Sequence, residues 1–172
     1  QTLQTIITDI GLDRVFNASN NGLQAQITHI ALGDGSYSPD AGATALVNER
    51  QRVPVADTER LSNNQIRLAG LADGDLEYWV SEVGVFLEDG TLFAVWSDPS
   101  KTLGKKVEGA SFTLAFNLAL ERVSADDLNI VVSGAPVNLF FAGPLAQIAA
   151  ASITAMDLFI QQKCELLEKD KK

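Results

Sequence analysis

The stretch Tyr78–Ser97, YWVSEVGVFLEDGTLFAVWS, constrains the fold more than any other part of the chain. Two runs rich in Val, Phe, Leu and Trp flank Asp89-Gly90, a pair favoured where a tight turn needs a positive φ, so a β-hairpin is expected here.

Strand signals recur on both sides of it. Gln24–Leu32 alternates, with Ala25, Ile27, His29 and Ala31 on one face and Gln26, Thr28, Ile30 and Leu32 on the other, and Gly33-Asp34-Gly35 ends the run. Those glycines permit backbone angles that other residues resist. Gln51–Ala56 and Asn64–Leu71 read as strands around the polar turn Ser62-Asn63-Asn64, and Ala72-Asp73-Gly74-Asp75 as a further turn. Ala110–Glu121 and Leu128–Ser133 follow as strands, the first collecting Phe112, Leu114, Phe116, Leu118 and Leu120 on one face. Helical spacing is expected from about Thr2 to Asn20-Asn21-Gly22, and a helical turn within Thr44–Gln51.

Composition changes after Gly143-Pro144, beyond which there is no further Gly or Pro. Pro144 suits a first helical turn, and a helix to about Glu168 would be roughly 37 Å long. One heptad track holds Leu139, Ala146, Ile153, Ile160 and Leu167, beside a track with Ala142, Ala149 and Met156 and another with Leu145. Periodicity fits a multistranded coiled coil and a helix folded back on its own sheet equally well. The expected class is α+β: a short N-terminal helix, a mainly antiparallel β body over 1–135, and a long C-terminal helix over 136–172.

The 172 residues carry a net charge of −9. That disfavours nucleic acid as the main partner, since phosphates call for a basic patch, and equally an anionic membrane surface. A single cysteine, Cys164, excludes an intrachain disulfide and a thiolate-rich metal site and fits a reducing compartment of synthesis. No apolar run reaches the roughly 18 residues that span a bilayer.

Chemistry-bearing residues read mostly as structural. His29 and Asp34 are about 16 Å apart along an extended strand, too far to share a local site. Gly33-Asp34-Gly35 lacks both the glycine pattern and the following helix of a phosphate cradle. Asp73-Gly74-Asp75 lacks the regular oxygen offsets of a calcium loop. Glu77 and Glu82 fall on opposite strand faces while Asp57 and Glu59 share one, and nothing sets one pKa against its neighbour as glycoside cleavage requires. Trp79 and Trp96 are expected in the core. No catalytic, cofactor-binding or metal-ligating residue is assigned.

The ordered segments TDIGLDRVFNA, THIALGDG, TALVNE leading into RVPV, and WVSEVGVFLEDGTLFAVW resemble the phage tail-collar fibre family over roughly residues 5–133. The family is the N-terminal module by which tail fibres of contractile-tailed phages attach to the baseplate. The resemblance implies a non-enzymatic, homotrimeric virion protein made in the bacterial host cytoplasm. It also favours the trimeric coiled-coil bundle, with Leu145, Ala149, Ile153, Met156, Ile160 and Leu167 as its seam. The expected partners are a baseplate protein and another fibre subunit at the C-terminal end. The sequence shows no long shaft and no tip, so it is expected to be either an adaptor on which a separate fibre subunit is mounted or a collar fragment, and host-receptor binding does not carry over. A glycan-binding or glycan-cleaving module and a fibre-assembly helper are the alternatives.

Overall fold

A computed structural model describes residues 3–136. The first elements are β1 (Ile6–Ile7), α1 (Asp9–Asn20) and β2 (Ala25–Gly33). The middle of the chain forms β3 (Glu49–Ser62), β4 (Gln65–Ala72), β5 (Tyr78–Val80), β6 (Glu82–Leu87) and β7 (Leu92–Ser97). Then come β8 (Gly104–Lys106), β9 (Phe112–Ala119) and β10 (Leu128–Ile130). Strand order in the main sheet is β1-β7-β6-β2-β3-β4-β9, with β10 also on β2 and with β5 and β8 forming a separate ribbon.

The helix starts later than its spacing predicts. Thr8 caps it, its side chain accepting from the Gly11 amide at 3.0 Å, while the β-branched Ile6 and Ile7 pair with Val95 and Ala94. Gly11 lets the helix lie directly on β7, because a Cβ there would sit 2.6 Å from the Phe93 Cα. The helix ends where expected, with Asn21 as C-cap and Gly22 at φ 72°.

The expected hairpin forms as β6 and β7, turning through Gly90 at φ 83°. Its first run is shorter than the sequence implies, because Tyr78–Val80 leaves the hairpin to pair with β8. All residues of β6 and β7 are buried, which explains why the hairpin is apolar in both phases. One face joins the main core, where Ile27, Ile30, Leu68, Val83, Val85, Phe93, Leu114, Phe116 and Leu118 form a single cluster. That clustering requires β4 and β9 to curl back over β2 and β6. The other face carries a smaller cluster of Ala31, Phe86, Leu92 and Val95, covered by Leu46 from the β2–β3 connection.

β3 is one long bent strand. Up to Pro54 it pairs with β2, and from Val55 onward with β4, with bulges on the way. Pro54 has no amide hydrogen to donate, and the ladder with β2 ends there. The fork that opens is filled by β10, parallel to Ala25–Ile27, and then by Ser133 and Gly134, whose amides donate to the Val55 carbonyl at 3.0 and 2.9 Å.

Two expectations are corrected. No helical turn forms within Thr44–Gln51, whose first residues are irregular and whose last ones open β3. The described residues are mostly antiparallel β with α1 as the one α-helix among them, so the α+β class gives way to a mainly-β one. Within residues 3–136, α-helical geometry is confined to Asp9–Asn20, and the other regular elements are strands apart from one short 3-10 turn at Ala125–Asp127. The C-terminal helix, its coiled-coil bundle and the seam residues Leu145, Ala149, Ile153, Met156, Ile160 and Leu167 lie outside the described residues.

Candidate functional site

The Gly33-Asp34-Gly35 turn is built around a residue from another strand: Gly33 stands opposite Glu82 at the start of β6, and Gly35 is 47 positions before it. Glu82 is completely buried. One carboxylate oxygen, Oε1, accepts from the amides of Asn48 at 2.6 Å and Gly35 at 3.2 Å, and Oε2 accepts from the amide of Val47 at 3.0 Å. A buried carboxylate is tolerable when its lone pairs are met by oriented donors, and here backbone supplies them without a counter-ion. The amides belong to both ends of the 34–48 connection, so the carboxylate ties that loop shut at its base.

The glycines make room for it. A Cβ on Gly33 would lie 2.3 Å from Glu82 Oε1 and 2.5 Å from the Asn48 carbonyl oxygen, and one on Gly35 would lie 2.7 Å from Oε1. Neither glycine has a positive φ. Their function is therefore space for a carboxylate, and the expectation of special backbone angles is corrected. Ser97 completes the base of the loop: its hydroxyl lies 3.0 Å from the Ser81 carbonyl and accepts from the Tyr37 amide at 3.1 Å. The Tyr37 hydroxyl is buried beside Glu82 without a well-formed hydrogen bond. Burial, and then the Glu82 charge, push this phenol up to about 12.

The other residues singled out by sequence are placed apart. His29 is half-buried in β2, its Nδ1 2.9 Å from Thr28 Oγ1. Asp34 accepts from Asn48 Nδ2 at 2.6 Å and pairs with Arg50 at 3.7 Å. Glu77 pairs with Lys105 at 2.6 Å and Glu59 with Arg67 at 2.6 Å, while Asp57 accepts from the Thr58 amide. Asp73 and Asp75 lie in an exposed turn around Gly74 at φ 87°. Among the described residues no group of three His, Cys, Asp or Glu is placed to hold a metal ion. Trp96 is in the core as expected, but Trp79 is 54% exposed, because β5 turns its odd residue away from the body once it pairs with β8.

A second buried charge escaped the sequence reading. Lys106 in β8 is fully buried, and its ammonium donates to the carbonyls of Gly74 at 2.7 Å, Val107 at 2.9 Å and Leu76 at 3.3 Å. The three donors of a lysine are thereby matched by three acceptors. The usable signal for Glu82 was a glutamate inside an apolar run; Lys106 left none, because its register with the buried Tyr78 is set only by strand pairing.

Both buried charges are thus locked on backbone groups of a body built on β strands, and eight carboxylates elsewhere among the described residues are tied into ion pairs. The family model for the N-terminal region of phage tail-collar fibre proteins matches residues 1–136, and the chain belongs to that family. It is thus a structural component of a bacteriophage tail fibre and a part of the virion, in a family that is not one of enzymes and that assembles with other tail components. Comparison with curated proteins and with solved structures finds no match.

Proposed function

We propose that this chain attaches a tail fibre to the baseplate of a contractile-tailed phage as a homotrimer and mounts the distal parts of the fibre. The observation that carries the reading is the family match over residues 1–136, the N-terminal region of the collar fibre. The anchored 34–48 loop supports it, because a domain that transmits load benefits from connections fixed at both ends. The positions Leu145, Ala149, Ile153, Met156, Ile160 and Leu167 are the proposed trimer seam.

Light scattering on the full chain tests the oligomer: a mass three times 18.4 kDa is expected, and a monomer at tens of micromolar refutes it. Ile153→Asp is expected to abolish the trimer while the β body still melts cooperatively, since an unpaired charge in an apolar seam is costly. Mass spectrometry of purified virions separates a fibre component, present in multiples of three, from an assembly helper, which would be missing. Glu82, one of the carboxylates behind the glycan-cleaving alternative, is sealed from solvent and held by three amides, which weakens that reading.

A further inference from the structure

The β5–β8 ribbon presents an unusual outer face. Two-residue alternation puts Glu77 and Trp79 of one edge on the same side as Lys105 and Val107 of the other, with Trp79 directly opposite Lys105. Trp79 is 54% exposed and Val107 46%. Large apolar side chains scattered singly need no explanation, but two on one face of a short ribbon, one of them a tryptophan, have the make-up of an interface hot spot.

The same end of the ribbon is acidic. Asp73, Asp75 and Glu108 are exposed, and the Gly109 amide donates to the Gly74 carbonyl at 3.3 Å, which brings the two acidic turns together. None of these three carboxylates is in an ion pair among the described residues, whereas every Lys and Arg there is already engaged. Eight of those cations pair with carboxylates, and Lys106 is held by carbonyls. Among the described residues, a partner's cations thus find carboxylates outside any ion pair, and a partner's anions find no uncommitted cation.

The face is also held in shape before any partner arrives. The Lys106 ammonium binds carbonyls on the turn that carries Asp73, Asp75 and Leu76 and on the strand that carries Val107. Fixing such a surface in advance removes part of the ordering cost of association.

We propose that this face docks a basic protein surface of the phage tail, with an apolar side chain of the partner seated on Trp79 and Val107 and its Arg or Lys residues on Asp73, Asp75 and Glu108. The proposal rests on the attachment reading and names the face that performs it.

Co-sedimentation of the purified full chain with tails that lack this subunit tests it. The wild type is expected to bind, with affinity falling as salt rises from about 50 to about 300 mM, because exposed charge pairs are screened over that range. Trp79→Ala is expected to weaken binding at least about tenfold, as loss of a central aromatic does. The triple change Asp73→Asn, Asp75→Asn and Glu108→Gln is expected to weaken binding and to flatten its salt dependence. Phe16→Ala, equally exposed but on α1, is expected to bind as the wild type does. All variants alter exposed side chains, and thermal melting confirms that each is folded. If folded Trp79→Ala and the charge triple both bind like the wild type, the docking face is wrong and the attachment reading survives. If the wild type itself fails to bind tails, the attachment reading falls and this face falls with it.

Discussion

Glu82 and Lys106 are both fully buried, both lack a partner of opposite charge among the described residues, and both are satisfied by three backbone groups. They differ in what they join. Glu82 gathers amides from residues 35, 47 and 48 onto the start of β6, and so closes a long connection that covers the second face of the sheet. Lys106 gathers carbonyls from residues 74, 76 and 107, all within one ribbon and the turn at its foot. The same electrostatic device therefore serves the fold in one place and a surface in the other. Removing the anion should damage the domain, and removing the cation should loosen a face.

Glu82→Ala sharpens this most. It leaves three buried amides without acceptors and a void, and should lower unfolding free energy by about 4 kcal/mol in chemical denaturation. A loss under about 1 kcal/mol would show that the loop stands without its anchor. Gly33→Ala should come next, at about 3 kcal/mol, since its Cβ would collide with both Glu82 and the Asn48 carbonyl. Lys106→Met should cost about 1–2 kcal/mol, because water can reach carbonyls on an exposed turn that it cannot supply in a core. The same variant should speed amide exchange around residues 73–77 far more than in β6 and β7; uniform acceleration would erase the distinction between the two regions.

The smallest effect concerns alkaline pH. Tyr37 and Tyr78, the two tyrosines of the chain, both titrate near 12 rather than 10, each pushed up first by burial. A pKa raised on folding means that the folded state holds the phenolic proton more tightly. Its contribution to stability is then complete below pH 10 and is lost as pH rises towards 12. Absorbance titration should show two late phenols, and Tyr37→Phe should remove one and slightly flatten the alkaline loss. A phenol titrating at 10 in the folded protein would contradict the burial of its ring.

Much of this architecture was legible in the residues. Asp89-Gly90 announced its turn, and alternation in Ala110–Glu121 identified the buried face of β9, because both signals are local. The role of Gly33 and Gly35 was not legible, since the group they make room for arrives from β6. For the same reason Trp79 was misplaced: its environment is decided by β8, a strand too short to leave a pattern. The parallel β10 was seen as a strand, but its partner was set by the fork at Pro54, which periodicity cannot show. The ordered segments of the collar family were legible as such, and the family match covers them.

The wedge formed by β10 has a consequence for the order of events during synthesis. Leu128–Ile130 seals the gap beside Ala25–Ile27, a closure that spans roughly a hundred residues of chain, and contacts so distant in sequence form late. A ribosome must therefore release nearly the whole domain before β2 acquires its last neighbour. Until then Ile27 and the unpaired edge at Val55 remain open, and nascent chains stalled before Leu128 are the species most exposed to wrong pairing.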